Sequence, residues 1–144
     1  MSQSVRDIVA NLDSIESLET EDDLQRLDEN VVQLFAAENP EFGIGALLRV
    51  FERFSVEDGF GIFWSILHGL ESLPGYELPL IESVKQRPSL FGLQMINSLI
   101  NGGITEIQGK DLLNVLKNVA ADGQQAEEIR AEAQRFVEWQ ERKG

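Results

Sequence analysis

His68 and Glu71 stand three residues apart in this 144-residue chain, a spacing that on a helix sets an imidazole beside a carboxylate. Such a pair could move a proton or give two ligands to a metal ion. Proton transfer also needs a nucleophile and a substrate pocket supplied from elsewhere in the chain. A metal needs three or four ligands, and His68 is the only histidine, with no cysteine and no Glu-x-x-His partner motif nearby. The pair reads as a polar contact on a helix face. No catalytic residue, metal site or cofactor is expected.

The other candidate chemistry is carboxylate chemistry. Glu19, Glu21, Asp22 and Asp23 cluster in "ETEDD", with Asp28 and Glu29 following. Enzymes that use carboxylate pairs hold them in concave, partly apolar pockets. A run like this at a helix start matches the helix dipole and stays solvated. Capping does not stop it from receiving lysines and arginines of a partner, so these six residues are the expected partner-binding set, with Tyr76 as an aromatic addition. The glycines of "GIG", "GFG" and "GG" lack the lysine and serine or threonine of a phosphate loop and follow no strand. Gly59 and Gly61 are expected to let helices approach closely beside Phe60, Phe63 and Trp64. Trp64 is expected in the core, and Trp139 either folds back or projects.

The formal net charge of −13 sharpens this. Residues 1–38 hold ten acids against Arg6 and Arg26, more than half of the excess. Such a field repels phosphate backbones and anionic lipid, which argues against nucleic acid and membrane partners, and it attracts basic proteins. Acidity that serves only solubility is the plainer reading. The apolar content of 42% supports a real core, and the length fits one domain over residues 1–144. The N-terminus shows no basic region followed by an apolar core, no stretch nears the ~18 apolar residues of a membrane span, and the lack of cysteine suits the cytosol. A soluble, cytoplasmic protein is expected.

Helical spacing dominates and strand alternation is nearly absent. Val5, Ile8, Val9, Leu12 and Ile15 mark a first helix capped by Ser4. Thr20 opens a second, closed by Asn39-Pro40. In a third, Leu47, Leu48, Phe51 and Phe54 point inward, with Arg49, Glu52 and Arg53 outward. Ser55 and Asp58 predict a capping box for a fourth, and Pro74-Gly75-Tyr76 a turn. A fifth lies near 77–86 with Pro79 in its first turn, and a sixth follows Pro88-Ser89 and stops at Asn101-Gly102-Gly103. Residues 110–121 and 125–143 make the last two. The expected fold is all-α: about eight helices in antiparallel hairpins, either a short HEAT-like α-solenoid or a compact helical bundle.

One stretch carries a resemblance. In residues 63–104, Trp64 with His68-Gly-Leu-Glu71 leads through Pro74-Gly-Tyr76-Glu77 to a helix ending at Arg87-Pro88. Met95-Ile96-Asn97 and Asn101-Gly102 follow. This pattern resembles small all-helical bacterial immunity proteins of polymorphic-toxin and contact-dependent growth inhibition systems, departing from it at Ser98, where a basic residue is expected. The resemblance implies a non-enzymatic cytosolic antitoxin that binds and neutralises a cognate toxin C-terminal domain by stoichiometric protein–protein inhibition, with no small-molecule substrate. Many such toxins are basic nucleases, and an acidic partner suits them. An acidic helical adaptor or scaffold, binding a basic partner unrelated to toxins, is the alternative.

Overall fold

The computed structural model describes residues 4–143, which form eight α-helices and one two-residue β-ladder. The fold is all-α. The chain divides into two compact units, one running to Phe54 and including Asp58–Tyr76, the other made of Ser55–Glu57 and the residues from Glu77 onward. No helix among the described residues is long and apolar enough to cross a membrane.

The first unit holds α1 (Val5–Asp13), α2 (Glu21–Ala36), α3 (Ile44–Arg53) and α4 (Ile62–Glu71). Ser4 caps α1, its Oγ accepting the Asp7 N–H at 3.2 Å. Thr20 and Asp23 form a reciprocal box at the start of α2: Thr20 Oγ1 accepts the Asp23 N–H at 3.1 Å, and Asp23 Oδ2 accepts the Thr20 N–H at 3.3 Å. Helix α2 stops at Ala36, ahead of the expected Asn39-Pro40 break. Pro40 denies Asn39 right-handed helical geometry, and Asn39 takes the left-handed region instead, at φ +55°. A short 3-10 turn, Pro40–Gly43, then leads into α3.

Leu12, Leu27, Leu34, Leu47, Phe51, Phe63, Ile66 and Leu70 fill the core of this unit. The rings of Phe51 and Phe63 meet at 5.3 Å, tilted by 57°. Gly69 of α4 lies against the Phe35 ring of α2; a Cβ there would stand 2.1 Å from Cζ, so a larger residue would have to displace the ring. Two expectations need correction. The Ser55 box is not what opens α4: the helix starts at Ile62, after a 3-10 turn at Gly59–Gly61 in which Asp58 Oδ1 accepts the Phe60 N–H at 3.0 Å. Arg53 does not point outward but lies half-buried, for a reason given below.

The second unit holds α5 (Glu77–Gln86), α6 (Leu90–Asn101), α7 (Leu112–Ala121) and α8 (Glu127–Lys143). The proline, serine and glycine punctuation reads through directly. Pro79 sits in the first turn of α5, buried Ser89 caps α6 by accepting the Gly92 N–H at 2.9 Å, and Gly103 leaves it at φ +92°. The Leu90 N–H at the start of α6 donates to the Ser55 carbonyl at 2.8 Å. The ladder pairs β1 (Glu106–Ile107) with β2 (Lys110–Asp111) across Gln108-Gly109, both at positive φ as a primed hairpin turn requires. Strands of two residues leave no alternation to read. Asp111 ends the ladder and caps α7, its Oδ1 accepting the Asn114 N–H at 3.0 Å.

Candidate functional surface

Helix α2 turns Leu27, Asn30, Val31 and Leu34 into the core. The opposite face therefore carries Glu21, Asp22, Asp28 and Glu29, all exposed, with Glu19 exposed just before the helix. Asp23 is half-buried because its carboxylate is committed to the cap. Glu29 Oε1 accepts from Gln25 Nε2 at 2.9 Å. Among the described residues, none of these six carboxylates takes part in an ion pair.

Most of the cations that could have balanced them are used elsewhere. The first unit has fourteen acids and only Arg6, Arg26, Arg49 and Arg53. Three of these arginines converge on the end of α1. Arg26, though it springs from α2, donates to Ser14 Oγ. Arg49 grips Asp13 with two parallel bonds, Nε to Oδ1 at 2.9 Å and an Nη to Oδ2 at 3.0 Å. Arg53 donates to the carbonyls of Leu12 at 2.7 Å and Ile15 at 3.0 Å.

The cause is local. The last carbonyls of α1 have no partner within the helix, and its C-terminus carries partial negative charge, so guanidinium groups satisfy both needs. Arg49 and Arg53 respond oppositely to this setting. The hydrogen bond to Asp13 holds the Arg49 pKa above its ordinary value, while burial draws that of Arg53 below its own, against the pull of Asp13. The price of closing α1 is an α2 face with net negative charge.

The second surface feature is aromatic. Trp64 is not in the core: it is 46% exposed on α4, and its ring stacks on His68 at 6.2 Å between centroids. The i, i+4 spacing puts both on the face opposite Phe63, Ile66, Leu67 and Leu70. Phe60 is 83% exposed at φ +52°, between Gly59 at +58° and Gly61 at +93°. These glycines answer a need for left-handed backbone; a Cβ on Gly59 would also strike the Phe63 ring at 2.6 Å, whereas one on Gly61 would meet nothing. His68 is open to solvent, its Nδ1 3.6 Å from Glu71 Oε1, as the spacing implied. Among the described residues, no three histidine, aspartate or glutamate side chains could hold a metal ion.

Tyr76 is half-buried on the turn after α4, on a different element from the α2 acids. Trp139 is half-exposed on α8, with the Lys143 ammonium 5.8 Å above its ring. An open groove of about 590 Å³ runs beside Ser4, Ala37, Asn39 and Phe42, with Glu38 as the one titratable group among the described residues that line it.

Sequence reasoning missed the arginine clamp, because guanidinium-to-carbonyl bonds across 38 and 41 positions leave no periodic trace. It also missed the solvent-facing Phe60, for which the signal was present: an aromatic with glycine on both sides. The asparagines of the resembling stretch prove structural. Gln140 Nε2 of α8 donates to Asn97 Oδ1 at 2.7 Å and to Asn101 Oδ1 at 2.8 Å, tying α8 to α6. No family model matches the chain, and neither a curated protein nor a solved structure does.

Proposed function

We propose that this protein is a bacterial immunity protein, a cytoplasmic antitoxin that binds a basic, nuclease-type toxin domain one to one and performs no catalysis. The observation that supports this reading is the α2 face. Its carboxylates meet solvent without cations, because Arg26, Arg49 and Arg53 are drawn to the end of α1. A surface of this kind speeds encounter with a basic protein and can occupy a groove built for phosphate. The likeness of residues 63–104 to immunity proteins supports the same reading. An adaptor for a basic partner unrelated to toxins would use the same face, so the partner's toxicity separates the two.

The test is co-expression with the toxic domain encoded beside the gene. Growth should be restored and calorimetry should give a one-to-one complex. Association should slow as salt rises, since exposed charges are screened over about 8 Å at physiological ionic strength. A complex with a harmless basic protein would favour the adaptor. Turnover of a substrate by the purified protein would end both readings.

A further inference from the structure

Resting on that reading, we infer that Phe60, Trp64 and His68 form the anchor of the interface. We further infer that they take a basic protein segment that pairs arginine side chains with an aliphatic one. Three observations on the first unit carry this. The first is Phe60 itself. A left-handed backbone strains most residues with a Cβ; glycine escapes the strain, and asparagine or aspartate tolerates it better than phenylalanine. A phenylalanine held there, with its ring in water, has no local rationale; strain that the surroundings maintain points to use.

The second observation is proximity along the chain. Trp64 and His68 share one face of α4 with their rings stacked at 6.2 Å, and the exposed Phe60 lies four residues before Trp64, in the turn that leads into the helix. Stacked, half-exposed rings suit a guanidinium lying on their faces, and tryptophan is the best such platform. The third is charge. Asp58 stands before the row and Glu71 after it, and no lysine or arginine occurs between Arg53 and Lys85. The unit as a whole carries fourteen acids against four bases. An acidic or neutral occupant gains nothing from this setting, and a second copy of a chain at −13 is repelled. Aromatic anchors of this type, more than rim charges, set final affinity. The α2 face governs encounter and the ring row governs hold.

The row is tested on the full chain by calorimetry with three synthetic peptides: a fourteen-residue amphipathic peptide of leucine and arginine, its leucine and glutamate counterpart, and an arginine, serine and glycine peptide of equal charge. The first should bind, the second should be silent, and the third should bind about tenfold more weakly or less. Phe60→Asn and Trp64→Leu should each weaken the first peptide by about tenfold. Phe60→Asn should melt at the same temperature or roughly 2–4 °C higher, since it relieves the left-handed strain. Lost binding in a protein no less stable is what a structural role for Phe60 does not give.

Binding within twofold of the parent in both variants would overturn the row. So would equal binding of the first and third peptides, which leaves charge alone, or self-association in sedimentation that Phe60→Asn abolishes. The immunity reading fails separately. If Asp22→Lys with Asp28→Lys abolishes toxin neutralisation and the ring variants do not, only the row is lost. If the ring variants weaken the peptide and no toxin is neutralised, only the immunity reading is lost.

Discussion

The two units are built from four helices each, yet they spend their charges differently. The first has fourteen acids and four bases, and three of those bases face the carbonyls and side chains at the end of α1. The second has eleven acids and eight bases. Most of its cations stay at the surface, with Lys110 3.8 Å from Glu82 and Lys117 3.6 Å from Glu141, while the half-buried Arg130 donates to the Gln125 carbonyl at 3.1 Å. Exposed pairs of that kind contribute about 0–1 kcal/mol each, so their main effect is to cancel the field and not to hold the unit together. The second unit ties α8 to α6 through the amides of Gln140, Asn97 and Asn101, with the Lys143 ammonium also donating to Asn101 Oδ1 at 3.0 Å. The composition alone gives one unit a net charge of −10 and the other −3; the closing of α1 decides only where the first unit's arginines lie, which is away from the α2 acids.

The hardest test of this contrast is Arg53→Ala. It leaves the Leu12 and Ile15 carbonyls without their charged donor, and bonds to charged groups contribute about 1.5–3 kcal/mol. A loss of about 2–3 kcal/mol in denaturant unfolding is expected, with faster amide exchange in α1. Arg53→Lys should recover less than half, because a single ammonium does not reproduce the guanidinium fork across two carbonyls. Gln140→Ala, the counterpart in the second unit, removes neutral bonds and should cost nearer 1 kcal/mol. Equal losses would mean the clamp is no stronger than the amide tie.

A middle-sized effect belongs to the surface. Both α2 and α8 begin with acids, Glu21, Asp22 and Asp23 in one, Glu127 and Glu128 in the other. Reversing Asp22 and Asp28 to lysine should slow association with a basic toxin domain by about tenfold in stopped-flow at low salt. Reversing Glu127 and Glu128 should change it by less than about threefold, because the second unit has eight bases against eleven acids and so a much weaker field. If both reversals act alike, net charge alone matters and the division between units has no functional meaning.

The helices, their caps and most of their ends are legible in the residues, because Ser4, Thr20, Ser89 and Asn101-Gly102 act over one turn of chain. Trp64 was misread for a definite reason. Its neighbours Phe63, Ile66 and Leu67 are apolar, but burial on a helix is decided by angle and not by neighbourhood, and position 64 lies on the far side. The six acids were legible as a cluster. Their freedom from cations was not, since it depends on where Arg26, Arg49 and Arg53 reach in three dimensions.

Asn30 offers a smaller probe on the inner side of α2. Its Nδ2 donates to the Arg26 carbonyl at 2.8 Å, but its Oδ1 is buried and has no partner among the described residues. A buried unsatisfied acceptor costs about 1–3 kcal/mol, partly offset here by the bond its amide makes. Asn30→Leu should therefore raise stability by about 1 kcal/mol and leave the acidic face unchanged. Loss of stability instead would mean that the amide's bond to Arg26 outweighs the orphan oxygen.

The smallest expected effect lies in the second unit and concerns pH. Asp122 ends α7, and its Oδ1 accepts the Gln124 N–H at 3.0 Å while Oδ2 accepts from Gln125 Nε2 at 3.1 Å. These bonds, the backbone one first, hold its carboxyl below the ordinary value of 3.8. A carboxyl depressed in the folded state binds its proton more readily when unfolded. Its contribution is therefore complete above 3.8 and disappears as pH falls through the lower folded value. Asp122→Asn keeps an acceptor but not the charge, so the variant should melt below the parent at neutral pH. The two melting curves should converge on acidification below 3.8. An offset that persists unchanged into acid would assign the loss to bond geometry. The charge at this C-cap would then do nothing for a unit whose other charges already stand close to balance.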